Sequence, residues 1–212
     1  MQTIILLNIH GYNLIMIPWN ILLALVPCWI VFYAAKSVGK KKWKDLKNER
    51  FAFMAIFLIW LFALPNTAYL FMIPRHLVNY CRNFDEYRAC LDGGSWIVMF
   101  FLTYALIGLP TFYYGLRKME QLFKSMCGKI YAAFLPIIVI PLTSIAVMFG
   151  LYGRYNSWDV IFHPGKLLRT IGSYFTDMVM LTDFVVFTVL LYVIYYVTVR
   201  MINYCLNCDL FD

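Results

Sequence analysis

Eight side chains have types that could do chemistry, and all fall near one end of the long apolar runs that hold them. They are Asn20, Asn66, Tyr69, His76, Arg154, Asn156, Asp159 and Asp183. An arginine beside amides and a tyrosine can hold an anion, since a guanidinium offers donors in a planar fork that matches phosphate or carboxylate. A histidine near a carboxylate could move protons instead, because its ordinary pKa lies close to neutrality. The densest part of the set is "GRYNSWDVIFHP", 153–164, which follows about twenty residues of nearly unbroken hydrocarbon.

The elements that must position these residues are membrane spans. Of 212 residues, 63% are hydrophobic and 14% are charged, with mean hydropathy +0.71. A soluble domain of this length carries about 25% charged residues. Several runs exceed the roughly 18 residues needed to cross the hydrocarbon as a helix. The pattern predicts an all-α polytopic transmembrane bundle in a single domain over 1–212. Spans are expected at 12–35, 51–73, 95–116, 130–152 and 178–201, with an interfacial helix over 157–175. Long continuous apolar runs exclude a β-barrel, whose strands are short and alternate. The start, "MQTIILLNIHGYN", lacks a positive stretch ahead of its apolar residues, so no cleaved signal peptide is expected.

Loop charge orients the bundle. The stretch 36–50 carries seven Lys/Arg, the loop 117–129 adds Arg117, Lys118, Lys124 and Lys129, and Arg200 brings that side to twelve. The other side holds the remaining six: Arg75, Arg82, Arg88, Arg154, Lys166 and Arg169. The positive-inside bias places the N-terminus outside and the C-terminus in the cytoplasm. It also accounts for the net charge of +7 without nucleic acid. The basic 36–50 stretch reads as an anchor on anionic headgroups, so membrane lipids are the expected partners. The eight polar residues then share the outer third, and the cytoplasmic halves look nearly featureless.

Each candidate also has a purely structural reading. Asn20 shares a helical face with Leu23, Ala24 and Pro27, a face suited to packing against another helix. Pro65-Asn66 can break the second span, with Asn66 taking up freed carbonyls. Asp183 lies inside the fifth span, where a carboxylate should face protein or a wet cavity, and Arg154 is its partner by depth. Asn156-Ser157 can cap a following helix, Trp158 can anchor it at headgroup level, and Asp159 suits its first turn. Gly108, Thr111 and Gly115 form one small-residue face, and Ala146 and Gly150 another, both expected to pack.

Cys81 and Cys90 share an outer loop, where a disulfide is compatible with the compartment but not established by spacing. "CLNC", 205–208, is a single CxxC and a weak metal signal; a reduced thiol pair or palmitoylated cysteines read equally well. No phosphate-cradling glycine loop, HExxH or GxSxG is present, so no catalytic residue, metal or cofactor is expected.

Three blocks resemble the DUF1361 family of bacterial integral membrane proteins, whose function is uncharacterised. They are "WNILLALVP" (19–27), "WLFALPNTAY" with its downstream His76, and "RYNSWDVIFHP" (154–164). The resemblance implies a multi-pass protein of the bacterial cytoplasmic membrane. In two places the chain departs from the family pattern. Met72-Ile73 stands where the family carries a Thr-Asp pair, and Leu151 where it carries a further arginine, a double change consistent with a lost ion pair.

Three functions fit. In the first, an outward-facing cavity lined by Asn20, Asn66, Tyr69, Arg154, Asn156 and Asp183 binds or transports a small or lipid-linked anion. At this length a transporter would dimerise or need a partner. In the second, the chain is a non-catalytic scaffold or subunit of a membrane complex, its polar residues spent on helix ends. In the third, it is an outer-leaflet enzyme acting on lipid headgroups, with His76 and Asp159 as acid and base and Arg154 on phosphate.

Overall fold

The computed structural model describes residues 8–9, 12–13, 16–38, 47–75, 87–153 and 162–208, with side chains over 16–36, 51–75, 98–153 and 162–205. Apart from a two-residue ladder pairing Asn8–Ile9 with Tyr12–Asn13, the described elements are helices. These are α1 (Met16–Val38), α2 (Lys47–Ala63), the short α3 (Pro65–Tyr69) with a 3₁₀ turn (Leu70–Met72), α4 (Tyr87–Met126), α5 (Lys129–Met148), α6 (Pro164–Thr176) and α7 (Met178–Cys208). A π-helical turn, Phe149–Gly153, extends α5.

Five segments are long and apolar enough to cross a membrane: Met16–Lys36, Phe51–Met72, Val98–Met126, Lys129–Gly153 and Met178–Cys205. The chain is a polytopic helical membrane protein, as its hydropathy predicts. One boundary differs substantially. The expected loop 117–129 is helix as far as Met126, and only Cys127 and Gly128 turn the chain, Gly128 at φ 100°. Charge alone does not end a helix. Arg117 and Glu120 pair three residues apart on its surface, and long basic side chains carry their charge toward the membrane surface.

The core is a line of buried side chains between the spans, with Val31, Trp60, Phe112, Leu116, Val139, Ile140, Leu191 and Tyr195 all essentially inaccessible. A smaller cluster joins Ala24, Leu70, Ile73, Phe101 and Tyr104. α4 is central and packs on α1, α5 and the α3 segment. The Gly108–Gly115 face packs as expected. A Cβ on Gly108 would lie 3.0 Å from Leu70 Cβ and 3.2 Å from the Thr67 carbonyl oxygen. A Cβ on Gly115 would lie 3.4 Å from Leu64 Cδ1. The glycine face of α4 therefore receives the break in span two. Between the glycines, the Thr111 carbonyl accepts the Cys28 thiol at 3.3 Å, which ties α1 to the same place. Ala24 and Pro27 on the Asn20 face are buried and Asn20 itself is half-buried, so that face turns into the bundle.

Candidate functional site

The π turn organises one end of the bundle. A π-helical turn widens the helix and disturbs its regular i→i+4 bonding, and such turns recur at functional sites. Here four consecutive residues each meet a different element. Phe149 packs on Tyr174 of α6 with ring centroids 5.6 Å apart. Gly150 leaves room for Tyr69 of α3, whose Cε2 would lie 3.7 Å from a Cβ at that position. The Leu151 carbonyl accepts a long 3.5 Å contact from an Arg75 Nη. The Tyr152 hydroxyl donates to the Asp183 carboxylate of α7. The turn leads directly into "RYNSWD", so the motif most distinctive in the sequence continues the most irregular backbone of the described spans.

The break in span two supplies the neighbouring groups. Pro65 cannot donate a backbone hydrogen bond, which frees carbonyls just upstream. The Asn66 side-chain amide donates to the Ala63 carbonyl at 2.9 Å, and the Thr67 hydroxyl to the Leu64 carbonyl at 2.7 Å. These polar groups satisfy their own helix, as the structural reading of Asn66 requires. Eight residues beyond Thr67, Arg75 is half-buried, and the 3.5 Å carbonyl contact is its described hydrogen bond. No carboxylate lies within ion-pair distance of it among the described residues. A guanidinium has five N–H donors, so among the described residues most of its capacity is unspent.

The described partner of Asp183 is Tyr152, which sequence reasoning did not single out; Arg154, its expected partner, lies outside the described residues. Asp183 sits exposed on the flank of the bundle instead of facing inward. Depth accounts for this. Five residues past the start of α7 is about 8 Å along the axis, shallow enough for a carboxylate to reach headgroups and water. Asp177 caps the same helix, its Oδ1 accepting the Val179 and Met180 amides at 2.8 and 3.4 Å. An aspartate directly before an apolar run was the available signal for that cap.

Of the sequence candidates, Asn20, Asn66, Tyr69 and Asp183 are described. Tyr69 and Asp183 meet Gly150 and Tyr152, two positions apart in the π turn. Asn66 is occupied by its own helix end, and Asn20 lies on the packed face of α1. His76, Arg154, Asn156 and Asp159 lie outside the described residues, as does Cys81, and the Cys90 side chain does too. Arg75 and Tyr152 were missed. Arg75 had been counted only as loop charge, and a tyrosine among 16 in an apolar chain carries no distinguishing pattern.

The opposite end is not featureless. Glu120 Oε2 accepts from Arg117 at 2.8 Å and from the buried Tyr195 hydroxyl, joining α4 to α7. Glu120 had been assigned to a loop, which concealed it.

Ile73 and Leu151 are both buried among apolar neighbours, one in each core cluster. Hydrocarbon packing fills both places. A family model described as protein of unknown function (DUF1361) matches residues 19–197. The chain matches no curated protein and no solved structure.

Proposed function

Because the chain belongs to the DUF1361 family, whose function is unknown, we propose from its own side chains that it is a membrane receptor or carrier for a lipid-linked or small anionic ligand. The observation that carries this reading is Arg75: a half-buried guanidinium with most of its donors unspent among the described residues, at a π turn that also holds a surface carboxylate. Arg75 would take a phosphate or carboxylate, while Asp183 and Tyr152 would accept from or donate to a neighbouring hydroxyl. These groups lie on the bundle's flank, which favours a ligand arriving sideways from one leaflet over one entering a closed cavity. The loop-charge bias makes that leaflet the outer one. Arg154, next in chain after the π turn, and Asn156 would complete the anion site, with His76 and Asp159 at its margin.

The test is thermal stabilisation of the purified protein by two probes, dihexanoyl phosphatidylglycerol and free glycerol phosphate. A rise in Tm with the lipid probe, lost in Arg75→Gln and in Arg154→Gln but kept in Asn66→Ala, supports the reading. Equal stabilisation by glycerol phosphate points to a small soluble anion instead. A lipid shift of the same size in all three variants sinks the proposal.

One observation favours a scaffold as the second reading. Asn66 and Thr67 are spent on their own helix ends. The cavity nearest the π turn is about 10 Å³ and apolar, lined by residues such as Ile145, Ile171 and Phe184. The lipid-headgroup enzyme would rest on His76, Arg154 and Asp159, and no described contact favours it.

A further inference from the structure

Helix α6 has a use that the anion site does not absorb. Its apolar residues Leu167, Leu168, Ile171, Tyr174 and Phe175 recur at spacings of three and four and form one stripe, opposite Lys166, Arg169 and Ser173. In a helix docked on a bundle, such a stripe is covered by the contact. Among the described residues it is covered only along one edge. Tyr174 packs on Phe149 and Tyr152, and Ile171 lines the small apolar cavity with Ile145, Met148, Leu181 and Phe184. The other edge overhangs. Leu168 is 68% exposed and Phe175, although it touches Phe184, is 46% exposed. No residue of α6 is buried. The overhang continues past the corner at Asp177 into Met178 and Val179, 76% and 68% exposed.

The polar half of α6 is equally one-sided. Its charged residues are Lys166 and Arg169, both exposed, and no acid occurs within the helix. Its hydroxyls turn back on the helix itself: Thr170 donates to the Lys166 carbonyl at 3.0 Å, Ser173 to Thr170 at 2.8 Å and Thr176 to Ser173 at 2.9 Å. Hydroxyls satisfied in this way need no water, which suits a helix at the edge of hydrocarbon. A stripe wider than its protein contact, a purely basic opposite face and a direct join to a span match a helix lying in the plane of a leaflet.

We propose that α6 is a membrane-interface anchor: its Leu168–Phe175 edge inserts among the acyl chains of the leaflet at the π-turn end, and Lys166 and Arg169 pair with anionic headgroups. The occupant of the exposed face is therefore lipid, and the charge selects anionic lipid. This inference does not depend on ligand binding by Arg75.

An environment-sensitive fluorescent amino acid placed at Leu168 or Ser173 of the full-length protein, reconstituted in vesicles, tests it. At position 168, lipids with a shallow nitroxide should quench at least threefold more than aqueous iodide does; at 173 the order should reverse. Replacing a third of the phosphatidylcholine with phosphatidylglycerol should shift the 168 emission to the blue. Lys166→Gln/Arg169→Gln should remove that dependence while helical circular dichroism is unchanged. Equal iodide quenching at 168 and 173 overturns the insertion, and an emission indifferent to phosphatidylglycerol in the wild type overturns the headgroup pairing. Arg75→Gln should leave the 168 signal as it is, which separates this result from failure of the anion site.

Discussion

Two tyrosine–carboxylate pairs bracket α7, and they are built differently. Near its start, Asp183 takes the Tyr152 hydroxyl on the flank of the bundle, and both residues are exposed. Near its other end, Glu120 takes the Tyr195 hydroxyl, with Tyr195 buried and Arg117 on the same carboxylate oxygen. The second pair is charge-balanced and closed. Its carboxylate takes both Arg117 and the buried Tyr195 hydroxyl and joins α4 to α7. The first has a carboxylate whose described partner is neutral, while the Arg75 guanidinium reaches, among the described residues, only a backbone carbonyl. Among the described residues Arg75 and Asp183 are not paired with each other, and the proposed anion site lies at this π-turn end.

The contrast predicts an order of effects. The largest should come from Glu120→Ala, which strands Arg117 and the buried Tyr195 hydroxyl together. Removing one partner of a buried pair costs about 3–5 kcal/mol. Side-chain exposures of 29% for Arg117 and 20% for Glu120 reduce this to about 2–3 kcal/mol. Chemical denaturation in mixed micelles would measure it, and a loss under half a kilocalorie would mean that the clamp is not closed. Gly108→Ala should follow at about 1–3 kcal/mol, because the new Cβ meets Leu70 and the Thr67 carbonyl inside normal contact distance. A stabilised variant would show that the break in span two can move away from α4.

Tyr195→Phe and Tyr152→Phe compare the pairs directly. The first leaves one of two donors missing at a sheltered carboxylate and should cost about 1–2 kcal/mol. The second acts at the surface and should cost about 0.5 kcal/mol or less, while changing the lipid-probe response described above. Reversal of that stability order would break the comparison. Asn66→Ala should be smallest in function and modest in stability, about 0.5–1.5 kcal/mol, with ligand response retained, since its amide serves the Ala63 carbonyl.

Legibility followed the range of each interaction. The Asn66 recap spans three residues, and the proline before it announces the problem it solves. The glycine face of α4 was readable because small residues at helical spacing admit a close neighbour whichever helix that neighbour is. What could not be named was the neighbour, and it proved to be the broken segment of span two. Depth reasoning proposed Arg154 for Asp183 because both lie near one end. The described partner, Tyr152, was at the right depth too, but nothing in a run such as "FGLYG" marks one tyrosine as a donor. Glu120 was concealed by a boundary error: basic residues looked like a loop, and the helix ran on through them.

By itself, the sequence determined that this is a membrane protein with five helices long and apolar enough to span. Hydropathy is a property of consecutive residues, and the bilayer reads it in one dimension. Only the tertiary structure decided how each helix is rotated and which neighbour it meets. That choice paired Tyr152 with Asp183 and Tyr195 with Glu120, left Arg75 beside a carbonyl, and left one edge of α6 uncovered. Rotation depends on how side chains from distant segments fill shared space, and no local pattern encodes that fit.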